Sequence, residues 1–537
     1  MNIDHPTCPK KNSDHASPGA GSLLRRWFVS NSLVAGLFAF AWLVLRTGTK
    51  PSRLAYPCQQ ASLSAATLAL GAPLVAAVVA ARRRLSAGLR TPAGAAIAVL
   101  VVVVGSAVTG VFVIADAPPE IVLIDPPRDY RAQVFHVSNC PEDPVGDAFP
   151  GLDALLGLMG TNGLKLHRSA ISGPTSGPDG LIANDDLVLI KINYQWGERG
   201  GSNTDLLRGL ILRLADHPDG FTGEIVVAEN TQFAGAEDFD RAANNAQNHA
   251  QSPRDVVDDF AGLGVAVSLF DWTLIRHSSV QEYSDGDLAD GYVVYAYDPA
   301  FQGRVSYPKF RTDLGTYVSL RDGVWDLPSN TYDRNRLKVV NLPVLKSHHA
   351  TYGATACVKN WMGVITTGLS TSSHTAMRYG ILGRTMVEVR PADLNILDAI
   401  WINADPYTGP ATSYAGATRR DELLASIDPV AADIWAVTNI LIPGFLSNGY
   451  SAPWPQPDAT PDDPSSDFRQ YLDTSMSALL AGGFPVTNDL AQIDLFQLDA
   501  EGLLFADGFE SGTTAAWSST APPPEDEEME SSWISRS

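Results

Sequence analysis

The residues best suited to chemistry lie in the passage NLPVLKSHHATYGATACVKNWMGVI, at positions 341–365. Lysines and histidines stand there between apolar runs, and polar residues in such a setting usually face a specific partner. In an extended segment Lys346 and His348 share one face, whereas His349 points to the other. We expect Lys346, His348 and Lys359 to converge on a carboxylate or phosphate, with His348 as acid or base near neutral pH. The alternative is a solvated loop edge.

A metal site in this region would draw on His348, His349 and His374. Two observations argue against it. His348 and His349 point opposite ways in an extended segment, and no HxxE/H spacing is present. The three histidines are therefore only weak metal candidates, and the sequence identifies no cofactor.

A second group of polar residues follows the apolar run LVLIKIN at positions 187–193. A strand there would deliver Lys191 and Asn193 to a glycine-containing loop, with Asn203 or Thr204 as the N-cap of the next helix. The free N–H groups and the positive dipole end of a helix suit an anion. An ordinary strand-to-helix turn is the alternative.

Three aspartates complete the candidates. Asp398 lies in the apolar segment LNILDAIW and, if buried, must be paired or protonated, so we expect it to face Lys346 or Lys359. Such a contact would serve either as a structural ion pair or in acid–base chemistry. Asp428 precedes a proline and is typical of an N-cap. Asp433 follows among apolar residues and is a candidate ligand.

The order of these segments resembles a known family. LVLIKIN, the passage at 341–365, NILDAIW and IDPVAADIWA together resemble the domain-of-unknown-function family numbered 362, over roughly residues 186–440. The resemblance implies a fold and a candidate pocket, and it names no reaction. It marks as site positions Lys191, Asn193, Lys346, His348, Lys359, Asn360, Asp398, Asp428 and Asp433. Some members of the family are described as iron–sulfur proteins, but this chain has no CxxCxxC run, so cluster binding is not transferred.

The elements that position these residues indicate an α/β fold, with a largely parallel sheet covered by helices on both faces. Short β-branched runs predict strands at 121–124, 132–137, 187–193, 224–228, 265–269, 292–297 and 337–342. Helical patterns occur at 205–215, 236–250, 391–402, 429–440 and 467–480. The interval 281–336 is predicted to be an irregular insertion. We expect residues 120–450 to form this domain, and residues 451–537 to form a Pro/Asp-rich linker and a partly disordered acidic tail.

The first part of the chain predicts three transmembrane helices, at about 27–45, 61–81 and 93–115. Residues 1–115 carry a formal +9, and the remainder carries −30. The positive-inside rule places the tail at 1–26 in the cytoplasm and the main domain outside the cytoplasmic membrane. The first run lacks a convincing signal-peptide cleavage site. The lipid bilayer is thus a predicted partner.

Composition excludes several classes of function. The 537 residues include 59 acidic and 38 basic side chains, a formal −21, which argues against nucleic-acid binding. Four cysteines are too few for a disulfide framework or dense iron–sulfur ligation. Cys58 and Cys140 could form one bridge, or either could be a free thiol. A short DGFESG segment near the C-terminus resembles one found in exported bacterial proteins.

Two functions remain. In the first, an exported enzyme holds an anionic small molecule with Lys191, Lys346 and Lys359, and His348 moves a proton. Asp398 or Asp433 then orients groups or balances charge, while Asn193 and Asn360 contribute to ligand binding. In the alternative, the same pocket is a non-catalytic ligand-binding module of the cell envelope.

Overall fold

One ten-stranded sheet organises the computed structural model, which describes residues 121–500 apart from 122, 142–143, 233–238, 350 and 370–372. The three predicted membrane spans, at 27–45, 61–81 and 93–115, lie outside the described residues, as does the acidic tail after residue 500. The described residues all belong to one compact unit.

The strands of the described part, in chain order, are β1 (Ala132–Ser138), β2 (His167–Arg168), β3 (Ser176–Gly177), β4 (Leu187–Ile192), β5 (Glu224–Glu229), β6 (Val267–Asp271), β7 (Gly291–Val294), β8 (Ser306–Arg311), β9 (Tyr317–Ser319), β10 (Gly323–Asp326), β11 (Thr331–Asp333), β12 (Leu337–Leu342), β13 (Val344–His348), β14 (Gly353–Thr355), β15 (Leu394–Asn403), β16 (Thr418–Ser426) and β17 (Ile493–Asp499). The helices are α1 (Pro150–Thr161), α2 (Thr204–Ala215), α3 (Pro253–Gly262), α4 (Cys357–Asn360), α5 (Ser373–Met377), α6 (Ile381–Glu388), α7 (Pro429–Ala436), α8 (Ile442–Ser447) and α9 (Asp467–Ala481).

The main sheet has the order β17-β1-β16-β15-β12-β4-β5-β6, with β13 and β14 attached beside β15. The segment β15-β12-β4-β5-β6 is parallel, whereas β16 is antiparallel to both of its neighbours. The sheet is therefore mixed and largely parallel, which confirms the predicted α/β class. Parallel strands bring their carboxyl ends to the same edge, and in open α/β sheets ligands bind at that edge.

Alternate residues of the central strands enter two different buried clusters. Leu189 packs with apolar residues of α6, α7 and α9, whereas Val188 and Ile190 pack with those of α1, α2 and α3. Strands buried in this way read as continuous apolar runs rather than alternating ones. This explains why β4 and β12 were easy to predict from the sequence.

Several predicted elements are wrong. Residues 391–402 form no helix but most of β15, which pairs with β12, β13 and β16. Residues 239–250 of the predicted helix at 236–250 are turns and loops, and the described residues among 121–124 form no strand. The interval 281–336 is not irregular, because it contains a five-stranded antiparallel sheet of order β11-β10-β9-β8-β7 with its own buried aromatic residues.

The domain extends past the predicted boundary at residue 450. Helix α9 buries Phe468, Tyr471 and Leu472 in the main core, and β17 pairs along its whole length with β1. Among the described residues, one helical stretch, Pro429–Ser447, is long and apolar enough to cross a bilayer. It runs from α7 through a π-helical turn into α8 and is mostly buried in the fold, as the core helix of a globular domain would be.

Candidate functional site

A cavity of about 370 Å³ lies at the carboxyl ends of β4 and β5, where β13 and α4 also meet. Its volume is in the range of small-molecule sites. The side chains around it are mostly polar. The lining residues are Asn193, Gln195, Trp196, Glu229, Asn230, Gln232, Lys346, His348, Thr351, Thr355, Lys359, Asn360, Met362, Gly363, His374 and Pro410.

Lys346 is held by two neutral acceptors. Its ammonium donates to Asn193 Oδ1 at 2.7 Å and to the carbonyl of Gly200. Asn193 Nδ2 in turn donates to Asn360 Oδ1 at 2.7 Å. Burial, reinforced by the nearby charge of Lys359, lowers the pKa of Lys346 to about 7. No carboxylate forms an ion pair with Lys346 in the described part of the chain, so its hydrogen bonds go to neutral acceptors, while the more distant charges of Glu229 and Asp398 favour its charged form.

Lys191 lies behind the cavity and is neutralised. It forms a buried ion pair with Glu229, and it also donates to Asn360 Oδ1 and to the Ile192 carbonyl, both at 3.0 Å. Burial lowers the pKa of Lys191, and the carboxylate opposes that shift. Burial raises the pKa of Glu229 to about 7 despite the ammonium beside it. This lysine therefore offers no free charge to a ligand.

Lys359 differs from both other lysines. Its side chain is 5% exposed and lines the cavity, yet none of the described residues accepts a hydrogen bond from it or forms an ion pair with it. Burial, with a further contribution from the charge of Lys191, lowers its pKa to about 7. An ammonium buried without a partner is costly, and that cost falls when an anion binds beside it.

His348 adds a neutral imidazole to the same wall. Its Nδ1 lies 2.7 Å from Thr355 Oγ1, and its pKa is well below the ordinary value because of burial and the charges of Lys359 and Lys346. His374 also lines the cavity, and burial lowers its pKa to about 4. At neutral pH neither histidine adds positive charge, so the cationic character of the cavity comes from the lysines.

The short helix α4 carries Lys359 and Asn360, and Asp433 fixes its start. The Asp433 carboxylate accepts the backbone N–H groups of Cys357 and Val358, at 2.6 and 3.0 Å. Asp433 is fully buried on α7 and does not line the cavity, so the prediction of a direct ligand is not met. Its contacts instead position the residues that do line it.

Asp398 does not make the predicted contact with Lys346 or Lys359. Because residues 394–403 are a strand rather than a helix, its side chain accepts from Asn244 Nδ2 at 2.8 Å and from the N–H of Ile400 at 3.0 Å. Burial raises its pKa to about 7. The structure therefore places Asp398 outside the cavity lining, in a separate buried hydrogen-bond group.

At the start of α2, where the sequence predicted an anion site, a side chain of the protein accepts free backbone N–H groups of the helix. Asn203 caps the helix by accepting the N–H groups of Asp205 and Leu206, and the Asp205 carboxylate is buried in the same turn. The glycine loop before it contributes the Gly200 carbonyl to Lys346 instead. Of the two alternatives, the ordinary turn is the one that the structure shows.

The three metal candidates are not brought together. His348 and His374 line the cavity, whereas His349 does not and uses its backbone N–H to bond the Thr408 carbonyl. Across the described residues, no group of three or more His, Cys, Asp or Glu side chains could hold a metal ion. Cys140 and Cys357 are buried thiols there, and Cys58 lies outside the described residues.

Sequence reasoning missed two residues that shape the site. Glu229 is the last residue of β5, within the run EIVVAEN. A carboxylate at the carboxyl end of a predicted strand could have identified it as a site residue, because ligands bind at that edge of an open α/β sheet. Gly363 lines the cavity so closely that an added Cβ would strike the Lys191 ammonium and the Glu229 carboxylate. The absence of a side chain there lets the Glu229 carboxylate reach the cavity lining, with the Lys191 ammonium behind it.

Residues 334–438 match the family model described as "Domain of unknown function (DUF362)". This segment is similar to the DUF362 family. The predicted resemblance over 186–440 is thereby confirmed for these positions. The matched segment contributes Lys346, His348, Lys359 and Asn360 to the cavity, while Lys191 and the other residues of β4 and β5 lie before it. The chain has no significant match among curated proteins or solved structures.

Proposed function

We propose that this protein binds an anionic small molecule, a carboxylate or a phosphate, in the cavity between Lys346 and Lys359. The observation that carries the proposal is the Lys359 ammonium, which is buried at the cavity wall without a partner among the described residues. Lys346 adds a second cation, which donates hydrogen bonds to neutral acceptors and has no ion-pair partner among the described residues. One anion between them would supply the missing negative charge to both.

Titration of full-length protein in detergent micelles with inorganic phosphate and with lactate tests this function. Both anions are expected to bind, and Lys359→Met should weaken binding by a factor on the order of 100, because the direct charge partner is lost. Lys338→Met is the matched control, since Lys338 is buried on β12 outside the cavity lining. Equal affinity in Lys359→Met, or no binding to the unmodified protein, would contradict the proposal.

Turnover of the bound anion is the second candidate, and the neutral imidazole of His348 favours it. A histidine that is uncharged at pH 7 and faces a cationic cavity can accept a proton from a ligand. His348→Gln should preserve anion affinity and abolish turnover of a substrate. The non-catalytic module is favoured if a ligand that binds tightly is never converted by the unmodified protein.

We also propose that the chain is anchored in the cytoplasmic membrane with residues 120–537 outside. The three charge-free runs, and the contrast between +9 before residue 116 and −30 after it, support this topology. Alkaline phosphatase fused after Ser537 should be active, because that enzyme functions only outside the cytoplasm. A fusion at the same position to a fluorescent protein that matures only in the cytoplasm should be dark, and the reverse pattern would refute the topology.

A further inference from the structure

The use of lysine in this chain is selective. Residues 116–537 contain 21 arginines and only six lysines, and three of those lysines are Lys191, Lys346 and Lys359. Arginine is the better residue for a fixed, bidentate pair with a carboxylate or phosphate, and it does not lose its proton in proteins. Lysine can lose its proton when buried and then acts as an amine nucleophile. Three of the six lysines in an arginine-rich part of the chain lie at this site, which suggests that a lysine there acts as an amine nucleophile.

The contacts divide the roles of the two cavity lysines. Lys346 is oriented by Asn193 Oδ1 and the Gly200 carbonyl, and these acceptors favour its charged form. Lys359 has no acceptor among the described residues, and Lys346 and Lys191 are the cations near it. Neighbouring positive charge and burial both disfavour a further ammonium. Of the two, Lys359 is the side chain that loses its proton more readily.

We propose that Lys359 forms an imine with its ligand, and that the ligand is an oxo acid, a small anion with an aldehyde or ketone carbonyl beside its carboxylate. This inference rests on the proposed function, because the carboxylate would pair with Lys346 and thereby place the carbonyl carbon near Lys359. The polar cavity of about 370 Å³ has room for such a molecule.

The reaction is a condensation and needs no oxidant or reductant. The lone pair of the Lys359 amine attacks the carbonyl carbon, and the π electrons of the C=O bond move to oxygen, which takes up a proton. The resulting carbinolamine then loses its hydroxyl as water while the nitrogen gives up its remaining proton and forms the C=N bond. In sum, one amine and one carbonyl give one imine and one water. His348, neutral and in the same cavity wall, is placed to carry the proton between nitrogen and oxygen.

Reductive trapping tests the imine. Full-length protein in detergent micelles is incubated at pH 7.5 with pyruvate and cyanoborohydride, and the labelled peptides are mapped by mass spectrometry. We expect one carboxyethyl group on Lys359, formed about tenfold or more faster than on Lys165 or Lys338, because an ordinary lysine is almost entirely protonated at this pH. Lactate, which has a hydroxyl in place of the carbonyl, should compete with pyruvate without being trapped.

Variants sharpen the outcome. Lys359→Arg keeps the cation and should lose the label, whereas Lys338→Arg should keep it. If either variant fails to fold, the map of labelled lysines in the unmodified protein still tests the proposal. If lactate and phosphate bind but pyruvate leaves no label on Lys359, or labels all lysines equally, the imine is refuted and anion binding stands. If phosphate, lactate and pyruvate all fail to bind and no label appears, both the imine and the proposed function are refuted.

Discussion

At the scale of single residues, the site contains one buried lysine with an ion-pair partner and another without one. Lys191 is compensated by the Glu229 carboxylate, while Lys359 faces the cavity without a partner among the described residues. Removal of one member of a buried ion pair leaves the other charge uncompensated, whereas removal of an unpaired charge relieves a desolvation penalty. The same substitution at the two positions should therefore change stability in opposite directions.

Lys359→Met should raise the free energy of unfolding of the ligand-free protein by about 1–3 kcal/mol, and Lys191→Met should lower it by about 3–5 kcal/mol. Urea unfolding at pH 6, where the ammonium of Lys359 is mostly charged, measures both. Each variant is the control for the other, because both replace a lysine of this site with an uncharged side chain of similar length. Equal destabilisation by the two would show that Lys359 has a partner.

Gly363→Ala should lower the free energy of unfolding by about 2–4 kcal/mol, because the new methyl group would displace the Lys191–Glu229 pair. Gly262→Ala is the matched control, since no atom lies within 4 Å of its added Cβ and alanine is the better helix former. Denaturant midpoints compare the two. Wild-type stability in Gly363→Ala would mean that the pair can move aside without cost.

At the scale of elements, the position of α4 depends on α7 through one carboxylate. Asp433→Ala removes the acceptor of the Cys357 and Val358 N–H groups, so α4 should lose its fixed start. We expect phosphate affinity to fall about tenfold or more, although Asp433 does not line the cavity. Ser252→Ala, which removes the cap of α3 elsewhere in the fold, should reduce stability and leave phosphate affinity unchanged. Unchanged affinity in Asp433→Ala would show that α4 is held without the carboxylate.

How far the sequence predicted the elements depended on their burial. Strands β4 and β12 were found because both faces are apolar and their ends carry turn residues. The same continuous apolar character made β15 look like a helix, because a fully buried strand shows no period of two. Strand β7 overlaps the strand predicted at 292–297, whereas the four short strands β8 to β11 escaped because their tyrosines and aspartates resemble a loop.

For the site, the structure places the predicted residues Lys346, His348, Lys359 and Asn360 in one cavity lining, and the sequence could group them because all four lie within one short stretch of chain. Glu229 could not be paired with a lysine in advance. Its position depends on the sheet order β12-β4-β5, which local sequence patterns do not encode. The predicted contact of Asp398 was wrong for a similar reason. Asp398 lies on β15, and its neighbours depend on that strand, which the sequence pattern predicted as a helix.

At the scale of the whole molecule, the buried lysines make stability depend on pH. The pKa of Lys346 and that of Lys359 are both about 7 in the fold and near 10.5 in an unfolded chain. Between pH 7 and 8.5 the unfolded chain therefore binds protons that the folded one lacks, so stability rises with pH. The buried carboxyl groups with a pKa raised to about 7 oppose this rise, because the folded protein holds protons there that the unfolded chain has lost, but their effect fades above pH 7 while that of the lysines grows. Below pH 6.5 the histidines with lowered pKa oppose the same carboxyl groups, and above pH 8.5 the buried thiols oppose the lysines.

The free energy of unfolding should accordingly increase by about 1–3 kcal/mol between pH 7 and 8.5 in the absence of a bound anion. Urea midpoints at both pH values give the change. The double variant Lys346→Met, Lys359→Met should show little increase over the same interval. A rise of the same size in the double variant would assign the pH dependence to groups outside the cavity.

The pairing of β17 with β1 sets the order in which this domain can be completed. Residues 493–499 lie parallel to residues 132–138, so two segments separated by some 360 positions share one edge of the sheet. Contacts between such distant segments form late, because the loop-closure entropy must first be overcome. A ribosome that delivers the chain from its N-terminus must release residue 499 before β1 gains its second neighbour. Until then β1 has an open edge, so the chain depends on protection from aggregation during its synthesis.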